Sequence, residues 1–246
     1  MWPYPRTVAH RGGGTLAPEN TIAALRCGLE HGYRAVEFDV MLAKDGVPVV
    51  VHDTELGRTV AGSGAIPYYT AVQLAAMDAG GWFGAGYAGE GVPAFDAVVA
   101  FCQAHGIWMN IEIKPAPGFD VETGTVVAQR TRQHFAGGGQ LPLLSSFSTA
   151  ALEAARAAAP ELARGWLVEE LPPDWLAQAR ALGVVAIHCD HTPLTREQVA
   201  AIKAQGYGVF CYTVNTQARA DELLGWGVDG LCTDRIDIIP PVPVMA

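Results

Sequence analysis

The chain has no run of 18 or more apolar residues, so no segment reads as a membrane-spanning helix or anchor. Its first residues, Met1-Trp2-Pro3-Tyr4-Pro5-Arg6, offer neither the basic stretch nor the apolar stretch of a secretion signal. Basic residues are scarce: Lys and Arg total 16 against 25 Asp and Glu, for a net charge of −9, and they nowhere cluster. Nucleic acid and anionic membrane surfaces both want a basic face, so neither is expected as a partner. An acidic chain can still take a phosphate ester, but it then needs a metal ion or a few placed Arg and Lys side chains. Cysteine is sparse as well. Cys27, Cys102, Cys189, Cys211 and Cys232 are odd in number, share no CxxC spacing and lie in apolar stretches. That implies reduced core thiols and a cytoplasmic chain. None stands in a loop beside a histidine, so cysteine catalysis is not expected.

What is present is a core. Half of the 246 residues are hydrophobic and 17% are charged, a globular balance. Short β-branched runs, Thr7–His10, Arg34–Val40, Pro48–His52, Ile107–Lys114, Pro142–Phe147, Arg164–Val168, Val184–Cys189, Tyr207–Val214 and Gly230–Thr233, alternate with helical patterns. The helices include Asn20–His31, Ala94–His105, Thr149–Ala158, Trp175–Leu182, Thr195–Gln205 and Thr216–Trp226. Five of these patterns end in Gly directly before a strand: Gly32, Gly106, Gly183, Gly206 and Gly227. Helix, glycine, buried strand is the grammar of β/α units, and its repetition predicts a β/α barrel of the triosephosphate-isomerase type over residues 1–246.

Two places break the rhythm. Only Ala43–Val47 separates the second and third runs, too short for a parallel crossover, so a β-hairpin is expected. With Asp45-Gly46 as a two-residue turn, Lys44 pairs with Val47, and Asp39 falls opposite His52 on one face. Thr54–Val92, rich in glycine and aromatics, reads as a small insertion over the barrel mouth, a lid or a substrate wall.

Chemistry-bearing residues gather at the strand ends. Glu37 and Asp39 are two apart on one strand, so both carboxylates project to one face, while Val36, Phe38 and Val40 take the other. Glu112 and Lys114 repeat that spacing; His10-Arg11 and His52-Asp53 close two further strands. A strand-end histidine is more often structural than catalytic, and a Glu-x-Asp pair can be a solvated face. In a barrel, however, these strand ends converge on one mouth. Three inward carboxylates repel one another, and a hard divalent cation, magnesium or calcium, relieves that repulsion. Two flanking histidines suit acid and base roles, and Arg11 and Lys114 suit a phosphate.

These motifs, His10-Arg11-Gly12, Pro18-Glu19-Asn20-Thr21, Glu37-x-Asp39, His52-Asp53 and Glu112-Ile113-Lys114, resemble in order and spacing those of the glycerophosphodiester phosphodiesterase family. The likeness extends to Ser146-Phe147, Tyr212-Thr213-Val214-Asn215, Asp229-Gly230 and Thr233-Asp234, nearly the whole chain. The resemblance implies a distorted (β/α)8 barrel that binds a divalent cation and hydrolyses a small-molecule diester to glycerol 3-phosphate and an alcohol. It places Glu37, Asp39 and Glu112 as metal ligands, His10 and His52 as the acid/base pair, and Arg11 and Lys114 beside the phosphate. Related barrel phosphodiesterases suggest attack by the glycerol 2-hydroxyl. Asn20 is expected to cap the following helix, and Glu19 to reach a histidine or Arg11. One departure stands out: the family's usual Trp is replaced by Tyr212, an expected apolar wall for the glycerol moiety. The rival readings are a lysophospholipid diesterase of the same superfamily, a Schiff-base aldolase that uses Lys114, and a non-catalytic phosphate-binding barrel, which the two intact histidines disfavour.

Overall fold

All nine extended runs form strands, and the closure of the barrel follows from how they pair. The computed structural model describes residues 2–242; the outermost residues of the expected 1–246 domain lie outside the described residues. The strands are β1 Thr7–Ala9, β2 Ala35–Leu42, β3 Pro48–Val50, β4 Trp108–Ile113, β5 Leu143–Ser146, β6 Ala163–Val168, β7 Ala186–Asp190, β8 Gly208–Tyr212 and β9 Gly230–Thr233. Eight of them run parallel, and β1 pairs with both β9 and β2, which closes the ring. β3 is the exception, antiparallel to β2.

The distortion has a local cause. β1 is three residues long and meets β2 only at Ala9 beside Val36, whereas β2 runs on to Leu42. Val40 pairs with Ile113 of β4 on one edge and with Val50 of β3 on the other. β3 therefore takes over the edge of β2 that β1 leaves open.

The hairpin differs from the expected register by one residue. Met41 pairs with Val49, and the Val51 N–H donates to the Asp39 carbonyl, so Val51, not His52, lies opposite Asp39. The turn is a residue longer than supposed. Gly46 donates to Ala43, Ala43 donates to Val47, and Gly46 adopts φ 72°. That is a three-residue loop with a left-handed glycine, which Asp45-Gly46 fits as well as it fits a two-residue turn.

The helices are α1 Ile22–Glu30, α2 Ala71–Ala75, α3 Phe95–Ala104, α4 Asp120–His134, α5 Thr149–Ala158, α6 Trp175–Leu182, α7 Arg196–Ala204 and α8 Gln217–Trp226. Hydroxyl caps start five of them: Thr21, Thr70, Ser148, Thr195 and Thr216 each accept the backbone N–H three residues on. All five glycines that precede strands have positive φ. The cap of α1 is thus Thr21 and not Asn20, whose side chain is drawn inward to Asp39. α4, absent from the helices named above, lies against α5, where a Cβ on Gly124 would stand 2.3 Å from the Ala151 carbonyl oxygen.

Alternation along the strands sorts the core into layers. Val36, Phe38 and Val40 pack outward against Leu25 of α1 and Phe95 and Val98 of α3. Each such side chain contributes about 1.5–3 kcal/mol of hydrophobic stabilisation when fully buried. Inside the ring, Val8, Trp108, Leu143 and Phe210 fill the lower half, and Tyr4 stacks on Trp108 beneath them. The insertion builds its own core from Ile66, Leu74 and Val92 against Met41, Val49 and Val51 of the hairpin. The barrel is thus greasy below and at its wall. Its polar side chains are left for the upper, C-terminal end, where the strands of such barrels carry their chemistry.

Candidate active site

With Val36, Phe38 and Val40 committed to the helices, Glu37 and Asp39 must face the barrel axis. β4 lies in register beside β2, which brings Glu112 level with Asp39. Oxygen atoms of Glu37, Asp39 and Glu112 all lie within 4.8 Å of one another. Burial and the neighbouring carboxylates push Glu37 well above the ordinary range, and the same causes raise Glu112 to about 7. Asp39 stays low: burial opposes its charge, but Arg11, Lys114, His52 and Asn20 outweigh that. Oε1 of Glu37 is buried and has no hydrogen-bond partner. Crowded carboxylates, one with an orphaned oxygen, fit an oxygen-ligated divalent cation.

The expected cations converge here as well. Arg11 has φ 50° and Gly12 φ 91°, a left-handed turn at the end of β1 that aims both the backbone and the side chain of Arg11 inward. The Arg11 N–H donates to Glu37 Oε2 at 3.1 Å, Nε lies 3.4 Å from Asp39, and Nη1 reaches Glu19 at 2.7 Å. Glu19 therefore reaches Arg11, one of the two expected partners. Asn20, also left-handed at φ 59°, grips Asp39 twice: its amide donates to Oδ2 at 2.8 Å and its oxygen accepts the Asp39 N–H at 3.2 Å. Lys114 Nζ lies 3.3 Å from Glu112 and 3.6 Å from Asp39. Burial works to lower its pKa, but the two carboxylates prevail and the net shift is upward. An amine held against two carboxylates is favoured as the ammonium, a poor Schiff-base nucleophile, which speaks against the aldolase reading.

Both histidines are held from behind by an aspartate. His10 Nδ1 lies 2.6 Å from Asp234 Oδ1, and its Nε2 is 3.8 Å from Glu37. Asp234, just past β9, is itself fixed by Asn215, whose amide donates to Oδ2 and whose oxygen accepts the Asp234 N–H, each at 2.9 Å. His52 Nδ1 lies 2.6 Å from Asp53 Oδ1. An aspartate at Nδ1 selects the tautomer with the proton there and leaves Nε2 as the reactive nitrogen. His52 lies close enough to Asp39 for the two charges to interact, even with the register shifted: β3 ends at Val50 and the chain bends at His52. Burial lowers the pKa of His52 below 6.5, although Asp39 opposes it.

The roles of Asp53, Asp234 and Asn215 were not expected from the sequence, although each lies in a quoted motif. Their only signal is position: Asp53 adjoins His52, Asp234 directly follows β9, and Asn215 lies three residues past β8. Tyr212 ends β8 at the same mouth. Its hydroxyl donates to the Val168 carbonyl at 2.9 Å and its ring meets Phe147 edge to face at 5.8 Å. The two rings line a groove of about 750 Å³ with Glu169, Glu170, Asp190, Thr192 and Pro193. Among the described residues no helix is long and apolar enough to cross a membrane.

Residues 10–238 match the profile of the Glycerophosphoryl diester phosphodiesterase family. A glycerophosphodiester phosphodiesterase of Caldanaerobacter subterraneus is 31% identical over 232 residues, covering 92% of this chain and 93% of the relative. One from Bacillus subtilis is 29% identical over 252 residues, covering 96% and 85%. Among solved structures, a phosphodiesterase of Oleispira antarctica, in complex with the product sn-glycerol-3-phosphate, superposes with a TM-score of 0.88. It is 36% identical, over 94% of this chain and 93% of that one. A closed barrel, a carboxylate trio at its mouth and this breadth of likeness lead to one conclusion: the chain belongs to the glycerophosphodiester phosphodiesterase family, as an enzyme of that activity.

Proposed function

We propose that the enzyme hydrolyses glycerophosphodiesters to sn-glycerol 3-phosphate and an alcohol, with a divalent cation held by Glu37, Asp39 and Glu112 and with His10 and His52 as acid and base. The observation that carries this reading is the placement of the three mutually repelling carboxylates between two histidine–aspartate pairs. The product named in the Oleispira antarctica structure supports the substrate class. A bound cation, magnesium or calcium, would polarise a non-bridging phosphate oxygen. Arg11 and Lys114, which stand beside the same carboxylates, bind the phosphate oxygens. Nε2 of one histidine takes the proton of the attacking glycerol 2-hydroxyl, and Nε2 of the other protonates the departing alkoxide; water then opens the cyclic phosphate. Asp234 and Asp53 keep both rings in the tautomer this needs. Tyr212 and Phe147 give the glycerol carbons an apolar wall.

The test is a panel of glycerophosphocholine, glycerophosphoethanolamine, glycerophosphoglycerol, a lysophospholipid and a 2-deoxy analogue, assayed with EDTA and with metal added back. Glycerol 3-phosphate should appear from the first three, vanish with EDTA and return with magnesium or calcium. Full turnover after metal stripping would overturn the cation. Cleavage of the deoxy analogue at the parent's rate would mean that water attacks phosphorus directly.

A further inference from the structure

Arg58 belongs to none of the motifs above, yet it is the residue through which the insertion touches the chemistry. The insertion begins as a narrow loop: Glu55 bridges Ala65, Leu56 donates to Gly64, and Gly57 donates to Val60. That loop presents Arg58 to two carboxylates at once. Nη1 and Nη2 bind both oxygens of Glu19, at 2.9 and 2.8 Å. Nε and Nη2 bind both oxygens of Asp53, at 2.5 and 3.0 Å. Beyond each carboxylate stands a residue of the reaction: Glu19 holds Arg11, and Asp53 holds Nδ1 of His52. The result is one chain of contacts, His52–Asp53–Arg58–Glu19–Arg11, closed by a single guanidinium.

We propose that Arg58 is a positioning residue that locks the general acid/base His52 and the phosphate-binding Arg11 into one geometry, each through its own carboxylate. Only a planar fork can do this. It fixes the plane of both carboxylates, whereas an ammonium would supply charge without orientation. The lock also makes the docking of the insertion a condition for catalysis, because the insertion is where Arg58 comes from. The inference rests on the roles given above to His52 and Arg11, so its test includes a readout that needs no turnover.

The experiment compares wild type, Arg58→Ala, Arg58→Lys, Asp53→Asn and the Arg58→Ala/Asp53→Asn double variant, all metal-loaded for kinetics. Arg58→Ala should lower kcat about 10–100-fold, the range for loss of a group that orients a reactive one, and should raise KM through Arg11. In the Asp53→Asn background the same substitution should still raise KM but lower kcat no further, since both changes act on His52 through one path. Arg58→Lys should recover only part of kcat. The ¹⁵N spectrum of the His52 imidazole in metal-free protein supplies the second readout. Wild type should hold the Nδ1–H form, and both Arg58 variants should shift toward a mixture. Arg58→Lys keeps the charge and reports even where the alanine variant folds poorly. Additive losses of kcat, or an unaltered His52 spectrum in both Arg58 variants, would overturn the proposal. An inactive wild type that still shows the spectral change would instead overturn only the roles assigned to His52 and Arg11.

Discussion

Glu37 meets two demands that both oppose its charge: it is buried, and it faces two other carboxylates. Its pKa in the metal-free protein therefore lies above the unfolded value of 4.5, as does that of Glu112, at about 7. Between 4.5 and those raised values the folded state holds protons that the unfolded state has released. The contribution of these two groups to stability is thus intact below about pH 4.5 and is lost as pH rises through that window. Glu37→Gln removes the charge at every pH. In EDTA at pH 8 the variant should melt higher than wild type, by about 2–4 °C for each kcal/mol of repulsion relieved, and the gap should close toward pH 4.5. Added magnesium or calcium should then raise the melting temperature of wild type, leave the variant unmoved and restore turnover only to wild type. A variant that gains as much stability from the cation as wild type does would remove Glu37 from the metal site. The histidines give a second residue-scale expectation. His10→Ala and His52→Ala should each lower kcat by about 10²–10⁴-fold without loss of fold, measured as turnover beside a circular-dichroism melt. A near-normal rate in either folded variant would return that residue to a structural role.

α1 and the turn before it show why elements matter more than single residues here. A Cβ on Gly28 would stand 2.3 Å from the Gly12 carbonyl oxygen, so the helix and the left-handed Arg11-Gly12 turn are pressed together with no room for a methyl group. Gly28→Ala must displace one or the other, and both lead to the site: the turn carries Arg11, and the residues just before α1 carry Glu19 and Asn20. It should cost about 1–3 kcal/mol of stability as overpacking and also lower kcat/KM. Gly106→Ala is the control. It lies at φ 62° with open space around its Cβ, so it should cost about 1 kcal/mol for the left-handed backbone alone and leave kinetics unchanged. Equal kinetic effects of the two would break the link between α1 and Arg11. The same elements show what was legible in the sequence. The eight parallel strands were visible because buried parallel strands read as continuous β-branched runs, and their glycine stops are local signals. α4 was not: its Val, Thr and Gly residues disfavour a helix in isolation, and packing on α5 supplies what propensity lacks. The hairpin register was out by one because Asp45-Gly46 serves two turn lengths, and the choice depends on which face the insertion covers. Met41 and Val49 settle that by packing together under it. The carboxylate trio was legible from strand alternation, whereas Asn20 found Asp39, Asp234 found His10 and Arg58 found Glu19 across the fold, which no spacing announces.

For the whole molecule, the question is how a chain of net charge −9 takes up an anionic diester at all. The attraction is short-ranged, from Arg11, Lys114 and the proposed cation at the floor of the mouth. The groove beside it carries Glu169, Glu170 and Asp190. Screening acts unequally on these two fields. Contacts of a few ångströms in a half-buried site survive salt, whereas the repulsion between the acidic surface and an approaching anion extends about 30 Å at 0.01 M salt and only about 8 Å at 0.15 M. Raising the ionic strength should therefore weaken the repulsion more than the binding. Glycerophosphoglycerol carries a net negative charge, and its kcat/KM should rise several-fold between these salt concentrations at saturating metal. Glycerophosphocholine is a zwitterion with no net charge, and its kcat/KM should stay nearly flat, so the ratio of the two reports the field and cancels any general effect of salt on the enzyme. The measurement is that ratio in sodium chloride, with the metal concentration fixed. A ratio that falls as salt increases would show that the positive floor, and not the acidic surface, governs the approach of substrate.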